Sequence, residues 1–237
     1  MTSRPAQIPL GLRWPAHQRL DEFLGSGNAI AVASVRACVV GDGAAPRSVF
    51  VAGPHASGKT HLLIGACAAA TAQGRRAQYV PLRSIAATAG EALAEVSGEC
   101  LYAIDDVDAA AGRPEAERAL FAFHNRARAA GAAMLFAAVG SPAHAGFALP
   151  DLVSRLAAAT QARLEALDEA GRREALRRLA RSRGLELTGD ALDWLFAHRH
   201  RDLAALVADI GHIDQAALAE QRRVTVPFLR GVFAGNC

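Results

Sequence analysis

Short apolar runs punctuate the first two thirds of the chain, at residues 48–52, 77–82, 100–104 and 132–139. Each is bounded by glycine, proline or acidic residues, the pattern of buried strands. Between them the apolar positions shift to helical spacing. Residues 60–73 place Leu62, Leu63, Ala66 and Ala70 on one side, with Gly74 as the stop. Residues 84–97 read as an alanine-rich helix. Arg113-Pro114-Glu115 opens a further helix whose stripe is Leu120, Phe121, His124 and Ala127, ended by Gly131. Upstream, residues 17–40 read as helical, with Asn28 as the N-cap of Ala29–Val40, and the Gly-Asp-Gly-Ala-Ala-Pro stretch at 41–46 breaks the chain. This alternation predicts an α/β unit with a parallel sheet covered on both faces.

The last third changes character. Asp168 caps a helix to about Ser182, with Leu176, Leu179 and Ala180 inward. Thr188 caps a second helix through Ala191, Leu192, Leu195 and Phe196. A third covers about 202–220, and residues 224–229 lead into a short terminal helix. Three regions follow: a tail at 1–16, an α/β core at 17–160 and a small all-α subdomain at 161–237. In the tail, Pro5, Pro9 and Pro15 disfavour helix. It also holds Gln7-Ile8-Pro9-Leu10-Gly11-Leu12, whose aliphatics either fold back on their own domain or dock in a partner's groove.

The chemistry begins where the first strand ends. Gly53-Pro54-His55-Ala56-Ser57-Gly58-Lys59-Thr60 is a complete phosphate-binding (Walker A) loop between a predicted strand and a predicted helix. Gly53 and Gly58 permit torsions and close approaches that a Cβ hinders. Loop N–H groups, Ser57 among them, form an anion nest at a helix N-terminus. Lys59 serves the β- and γ-phosphates, and the Thr60 hydroxyl ligates Mg2+. The 100–104 run ends in Asp105-Asp106, where the second metal-organising element (Walker B) belongs. Asp105 is expected to hold Mg2+ through water, and Asp106 to orient the attacking water. ADP or ATP with Mg2+ is the expected ligand.

Composition narrows the field further. The 237 residues are 51% hydrophobic and 21% charged, an ordinary globular balance. The net charge of +3 is too small to predict nucleic-acid binding from bulk electrostatics. One helical face carries Arg172, Arg173, Arg177, Arg178 and Arg181 against Glu174 alone. It is a solvated face, a partner contact or a weak contact with DNA phosphates. Cys38, Cys67, Cys100 and Cys237 form no Cys-x-x-Cys pair and read as reduced, buried thiols. No signal core and no span of roughly 18 apolar residues is present, so a cytoplasmic location without a membrane partner is expected.

A phosphate-loop sheet followed by a helical bundle is the layout of the AAA+ ATPases. The chain resembles the DnaA/Hda family within them, its Hda branch most closely, from about residue 7 to residue 232. Residues 7–12 are similar to the peptide with which that branch binds the DNA polymerase III sliding clamp (β subunit), with Gln7, Leu10 and Leu12 as anchors and Gly11 in place of the family's proline. The resemblance thus favours docking for this peptide. Residues 149–156 resemble the family's box VII segment, whose arginine acts in trans on a neighbour's nucleotide. Arg155 is the match and implies an arginine finger. In the 199–203 stretch, Arg201 matches the family's second sensor, with Arg199 as the competing candidate. Residues 220–228 resemble the end of the Hda branch.

The resemblance implies a regulator that binds the DNA-loaded clamp and stimulates ATP hydrolysis by the replication initiator DnaA, inactivating it. It is compatible with a homodimer. Two departures qualify it. Gly140 and Ser141 stand where the family often has a polar sensor, which weakens the case for hydrolysis by this chain. No stretch after Phe228 has room for the initiator's helix-turn-helix domain, so sequence-specific DNA binding is not expected. The other readings are a helicase-loader type ATPase that turns over its own ATP and, further off, a small-molecule phosphate-loop kinase.

Overall fold

The computed structural model describes residues 14–15, 18–41, 47–85, 88–94, 100–199, 202–220 and 224–234. Gln7, Leu10, Leu12 and Arg201 lie outside the described residues. The sheet is built where the apolar runs predicted it. The strands β1 (Ser48–Ala52), β2 (Arg76–Pro81), β3 (Cys100–Asp105), β4 (Ala133–Ala138) and β5 (Thr160–Arg163) pair in parallel in the order β2-β3-β4-β1-β5.

The three inner strands read as unbroken apolar runs because both faces are covered. On one face Phe50, Tyr102, Ile104, Met134 and Phe136 pack under α5 (Pro114–Ala129) and α6 (Pro150–Ala157). On the other, Val49, Val51, Leu101, Ala103 and Leu135 meet α1 (Ala29–Val40) and α2 (Lys59–Ala72). Period-2 alternation then sorts residues between two cores rather than between core and water.

Strand β5 is the element the apolar pattern misses. It is an edge strand of sequence Thr-Gln-Ala-Arg in which only Ala162 is buried. Its place beside β1 comes from backbone pairing, Val49 with Thr160 through Ala52 with Arg163. The expected helix over 84–97 is also corrected. Two single turns, α3 (Leu82–Ile85) and α4 (Ala89–Ala92), stand there, anchored by the buried Leu82 and Leu93. Thr88 and Gly90 are weak helix formers, and no long helix spans them.

Asn28 corrects a third expectation. It sits at the N-cap position of α1 but makes no capping bond. Its side chain, 2% exposed, instead accepts from the Glu165 N–H at 2.8 Å and donates to the Glu165 carbonyl at 3.2 Å. It therefore latches the start of α1 to the segment that leaves the sheet. Further upstream, the Trp14 indole N–H donates to the Thr71 hydroxyl in the last turns of α2 at 3.0 Å.

After Leu164 the chain forms the helices α7 (Glu169–Ser182), α8 (Gly189–His198), α9 (Leu203–Glu220) and α10 (Val226–Phe233) around a core of their own. Leu176, Ala180, Ala191, Leu192, Leu195, Ile210, Ile213 and Leu229 are its fully buried members. Asp168, Thr188 and Thr225 cap α7, α8 and α10 through their side chains. The described cysteines, Cys38, Cys67 and Cys100, are buried and free, as read from the sequence. Among the described residues no helix is long and apolar enough to cross a membrane.

Candidate functional site

The phosphate loop leaves β1 and enters α2 through a left-handed turn. Gly58 has φ +96°, and a Cβ there would stand 2.9 Å from the Phe23 ring. At Gly53 a Cβ would meet the Ser57 hydroxyl at 2.7 Å and the Leu164 carbonyl at 2.9 Å. Both glycines are thus required by space, and Gly58 by torsion as well. The Ser57 hydroxyl is buried without a hydrogen-bond partner among the described residues. An orphaned donor inside such a loop fits a phosphate oxygen.

Lys59 opens α2. Its ammonium donates to the Gly53 and Pro54 carbonyls at 2.7 and 2.8 Å. Burial pushes its pKa below the usual lysine range, while Asp105 and Asp106 pull it back up. The next residue, Thr60, donates its hydroxyl to Asp105 Oδ2 at 2.6 Å. The same oxygen accepts the Tyr79 hydroxyl at 2.9 Å, and Asp105 Oδ1 accepts the Asp106 N–H at 3.0 Å. A carboxylate 2% exposed is therefore held by three donors, the Thr60 hydroxyl among them. This oxygen pair suits Mg2+, a hard cation that takes one or two protein oxygens together with phosphates.

Asp106 has left-handed torsions, φ 52° and ψ 47°. Its carboxylate accepts from Arg83 Nε at 3.0 Å, and Arg83 also lies 3.9 Å from Asp108. The group expected to orient water is thus paired with a cation. At the end of β4, Ser141 contacts His144 at 2.8 Å, a bond local to its own turn.

These groups open on a cavity of about 490 Å3 between the sheet unit and the helical unit. Lys59, Thr60 and Asp106 are among its polar lining, while Phe23, Leu179 and Val207 supply apolar wall. The ring of Phe23 meets His61 edge-on at 5.5 Å. A lining that combines a cation and a phosphate loop with apolar wall suits a nucleotide. Ser57, Lys59 and the loop N–H groups would hold the phosphates, and Thr60 and Asp105 the metal.

The helical unit contributes Arg178 to this cavity, paired with Glu174 at 2.9 Å. Arg199, the competing sensor candidate, is committed elsewhere. It makes two hydrogen bonds to the buried Asp209, at 2.9 and 3.1 Å, and lies over the Phe233 ring at 4.2 Å. The basic face of α7 is also less bare than the sequence implies, since Arg173 pairs with Glu169 and Asp193 as well.

Arg155 is placed apart. It is half-buried on α6 and is not among the described residues that line the cavity. It makes no ion pair among the described residues. Burial first, then the nearby Arg155 and Arg128, push the His124 imidazole below its usual pKa.

Several of these residues escape sequence reasoning. Phe23, Tyr79, Arg83 and Arg178 belong to no motif, and only the tertiary fold gathers them. The order of strand ends around the loop could have drawn attention to Tyr79 and Arg83, which lie at or just past the end of β2, beside β3.

Residues 168–233 match the protein family described as Hda, lid domain. The whole fold is similar to domain III of the replication initiation protein DnaA from Thermotoga maritima. That match has TM-score 0.79 and 19% identity, and covers 94% of this chain and 98% of that one. AMPPCP-bound DnaA from Aquifex aeolicus gives TM-score 0.68 at 21% identity over 87% of this chain and 68% of that one. The Thermotoga maritima RuvB Holliday junction branch migration motor gives 0.62 at 16% identity over 94% and 73%. The architecture is the AAA+ fold, a five-stranded parallel sheet followed by a helical lid.

Proposed function

We propose, from an Hda-type lid closing over an AAA+ phosphate-loop core, that this chain is a regulator of replication initiation acting on the initiator DnaA. The lid match at residues 168–233 carries the reading. The chain binds ADP or ATP with Mg2+ in the cavity between core and lid, a role supported by the AMPPCP-bound relative of the same fold. Residues 7–12 tether it to the DNA-loaded sliding clamp through Gln7, Leu10 and Leu12. Arg155 enters the initiator's ATP site, where a guanidinium stabilises the charge that develops on the transferred phosphoryl group. Its position off its own cavity and its lack of a carboxylate partner among the described residues support action in trans. Arg201 acts as the lid's nucleotide sensor. Hydrolysis of the initiator's ATP inactivates it, so the regulation is negative.

The test is the initiator's ATPase in the presence of clamp-loaded DNA. Arg155→Ala is expected to lower the stimulated rate by about a thousandfold, the scale of a lost arginine finger, with clamp binding unchanged. Unchanged stimulation sinks the role of Arg155. Deleting residues 1–12 is expected to abolish clamp pulldown, and equal binding by both forms removes the tether.

A second reading, a helicase-loader type ATPase, is favoured by the complete loop with Asp105 and Asp106 in place. Against it stand the Arg83 pairing of Asp106 and the absence of a side chain at Gly140. A Lys59→Ala change separates the two, because a motor loses all function while a tethered regulator keeps part.

A further inference from the structure

The start of α6, the helix that bears Arg155, lacks a cap of its own. Its N-cap residue is Leu149, which has no side-chain acceptor, and Pro150 follows it. The acceptor comes from another helix. Glu117, in the first turns of α5, is 1% exposed. Its Oε2 accepts the Leu149 N–H at 2.7 Å, while Oε1 accepts the Ala148 N–H at 3.1 Å and the Gly112 N–H at 2.8 Å. No cation pairs with this carboxylate among the described residues. Its charge is met by backbone donors and by the positive end of α6.

A helix of eight residues cannot hold itself in water. Its placement is fixed by what grips it. Leu152 and Leu156 are fully buried and fix the depth at which α6 packs on α5. The Glu117 carboxylate fixes where the first turn begins, and hence the angle at which every later side chain leaves the axis. Arg155 lies within two turns of that point.

We infer that Glu117 is the positioning residue for Arg155: from α5 it sets the start of α6 and so the direction in which Arg155 is presented to a partner's nucleotide. This rests on the reading of Arg155 as a residue that acts in a partner's site.

The test is Glu117→Gln, compared with wild type and with Arg155→Ala. The glutamine keeps one oxygen for the Gly112 and Ala148 N–H groups but sets an amide N–H2 against the Leu149 N–H. Hydrogen exchange at the Leu149 amide is expected to speed up by roughly tenfold or more, the scale of a lost charge-assisted bond. Stimulated turnover by the initiator is expected to fall by a similar factor. The half-saturating concentration and this chain's own ADP affinity should stay within about twofold. A merely structural role would move thermal stability and ADP affinity together. If Arg155→Ala abolishes stimulation while Glu117→Gln leaves turnover or Leu149 protection unchanged, the positioning inference is overturned and the reading of Arg155 stands. If Arg155→Ala itself has no effect, that reading falls, while exchange at Leu149 still reports whether Glu117 sets the start of α6. Should the glutamine variant fail to fold, Glu117→Asp retains the charge with one methylene less reach. It should give the same faster exchange at Leu149, and wild-type protection there overturns the inference.

Discussion

At the scale of the residue, burial decides which groups can react. Burial raises the Cys38 thiol from 9.0 to about 11 and the Cys67 thiol to about 12. In the unfolded chain these thiols ionise near their ordinary value and release protons that the folded chain retains. Folding stability is therefore unaffected below about pH 9 and falls as pH rises beyond it, by about 1.4 kcal/mol per pH unit for each thiol. Urea unfolding between pH 8 and 10.5 should show that decline, and a Cys38→Ala, Cys67→Ala double variant should lessen it, leaving the part due to Cys100, whose thiol burial also raises. The same residue-scale logic applies at Gly58. Alanine there combines a left-handed torsion with a contact 2.9 Å from Phe23, so Gly58→Ala should abolish ADP binding measured by calorimetry.

Among the elements, the contrast between β3 and β5 shows what a sequence exposes. Strand β3 is buried at every position, so its apolar run and terminal Asp105 stand out in the bare sequence. Strand β5 is polar because it has one neighbour and one buried side chain, and its identity lies in hydrogen bonds to β1 that no composition encodes. The phosphate loop was legible because its chemistry is local. Glu117, Tyr79 and Arg83 were not, because each acts on chain remote in sequence.

Asn28 makes the same point and can be tested. Serine caps helices as well as asparagine does, but its one short hydroxyl cannot span the Glu165 N–H and carbonyl that the two amide atoms of Asn28 reach separately. If Asn28 were a cap, Asn28→Ser would be nearly neutral. As a latch it should cost about 2 kcal/mol, the loss of two buried hydrogen bonds, close to the cost of Asn28→Ala in denaturant unfolding.

Across the whole molecule, two packed bodies share one cavity, with Lys59 and Thr60 on one side and Arg178 and Val207 on the other. A ligand touching both bodies binds the closed arrangement and not the unfolded chain, so it must raise thermal stability. At a concentration one hundred times Kd the gain is about 2.7 kcal/mol. Differential scanning calorimetry with ADP should show this rise. Arg178→Ala should shrink it at equal ADP concentration while leaving the Tm of the ligand-free protein nearly unchanged, since among the described residues Arg178 is otherwise paired only along its own helix with Glu174.

The bond from Trp14 to Thr71 has a geometric consequence for any partner held by the tail. Two peptide units separate Leu12 from Trp14, and they span at most about 7 Å. A partner gripping residues 7–12 would be moored close to the end of α2 rather than swinging on a loose cord. Such a short mooring restricts the poses open to the core and raises the local concentration of Arg155 around whatever lies beside the mooring point. Lengthening the chain between Leu12 and Trp14 with glycine and serine should leave the grip intact and slow the chemistry at a distance.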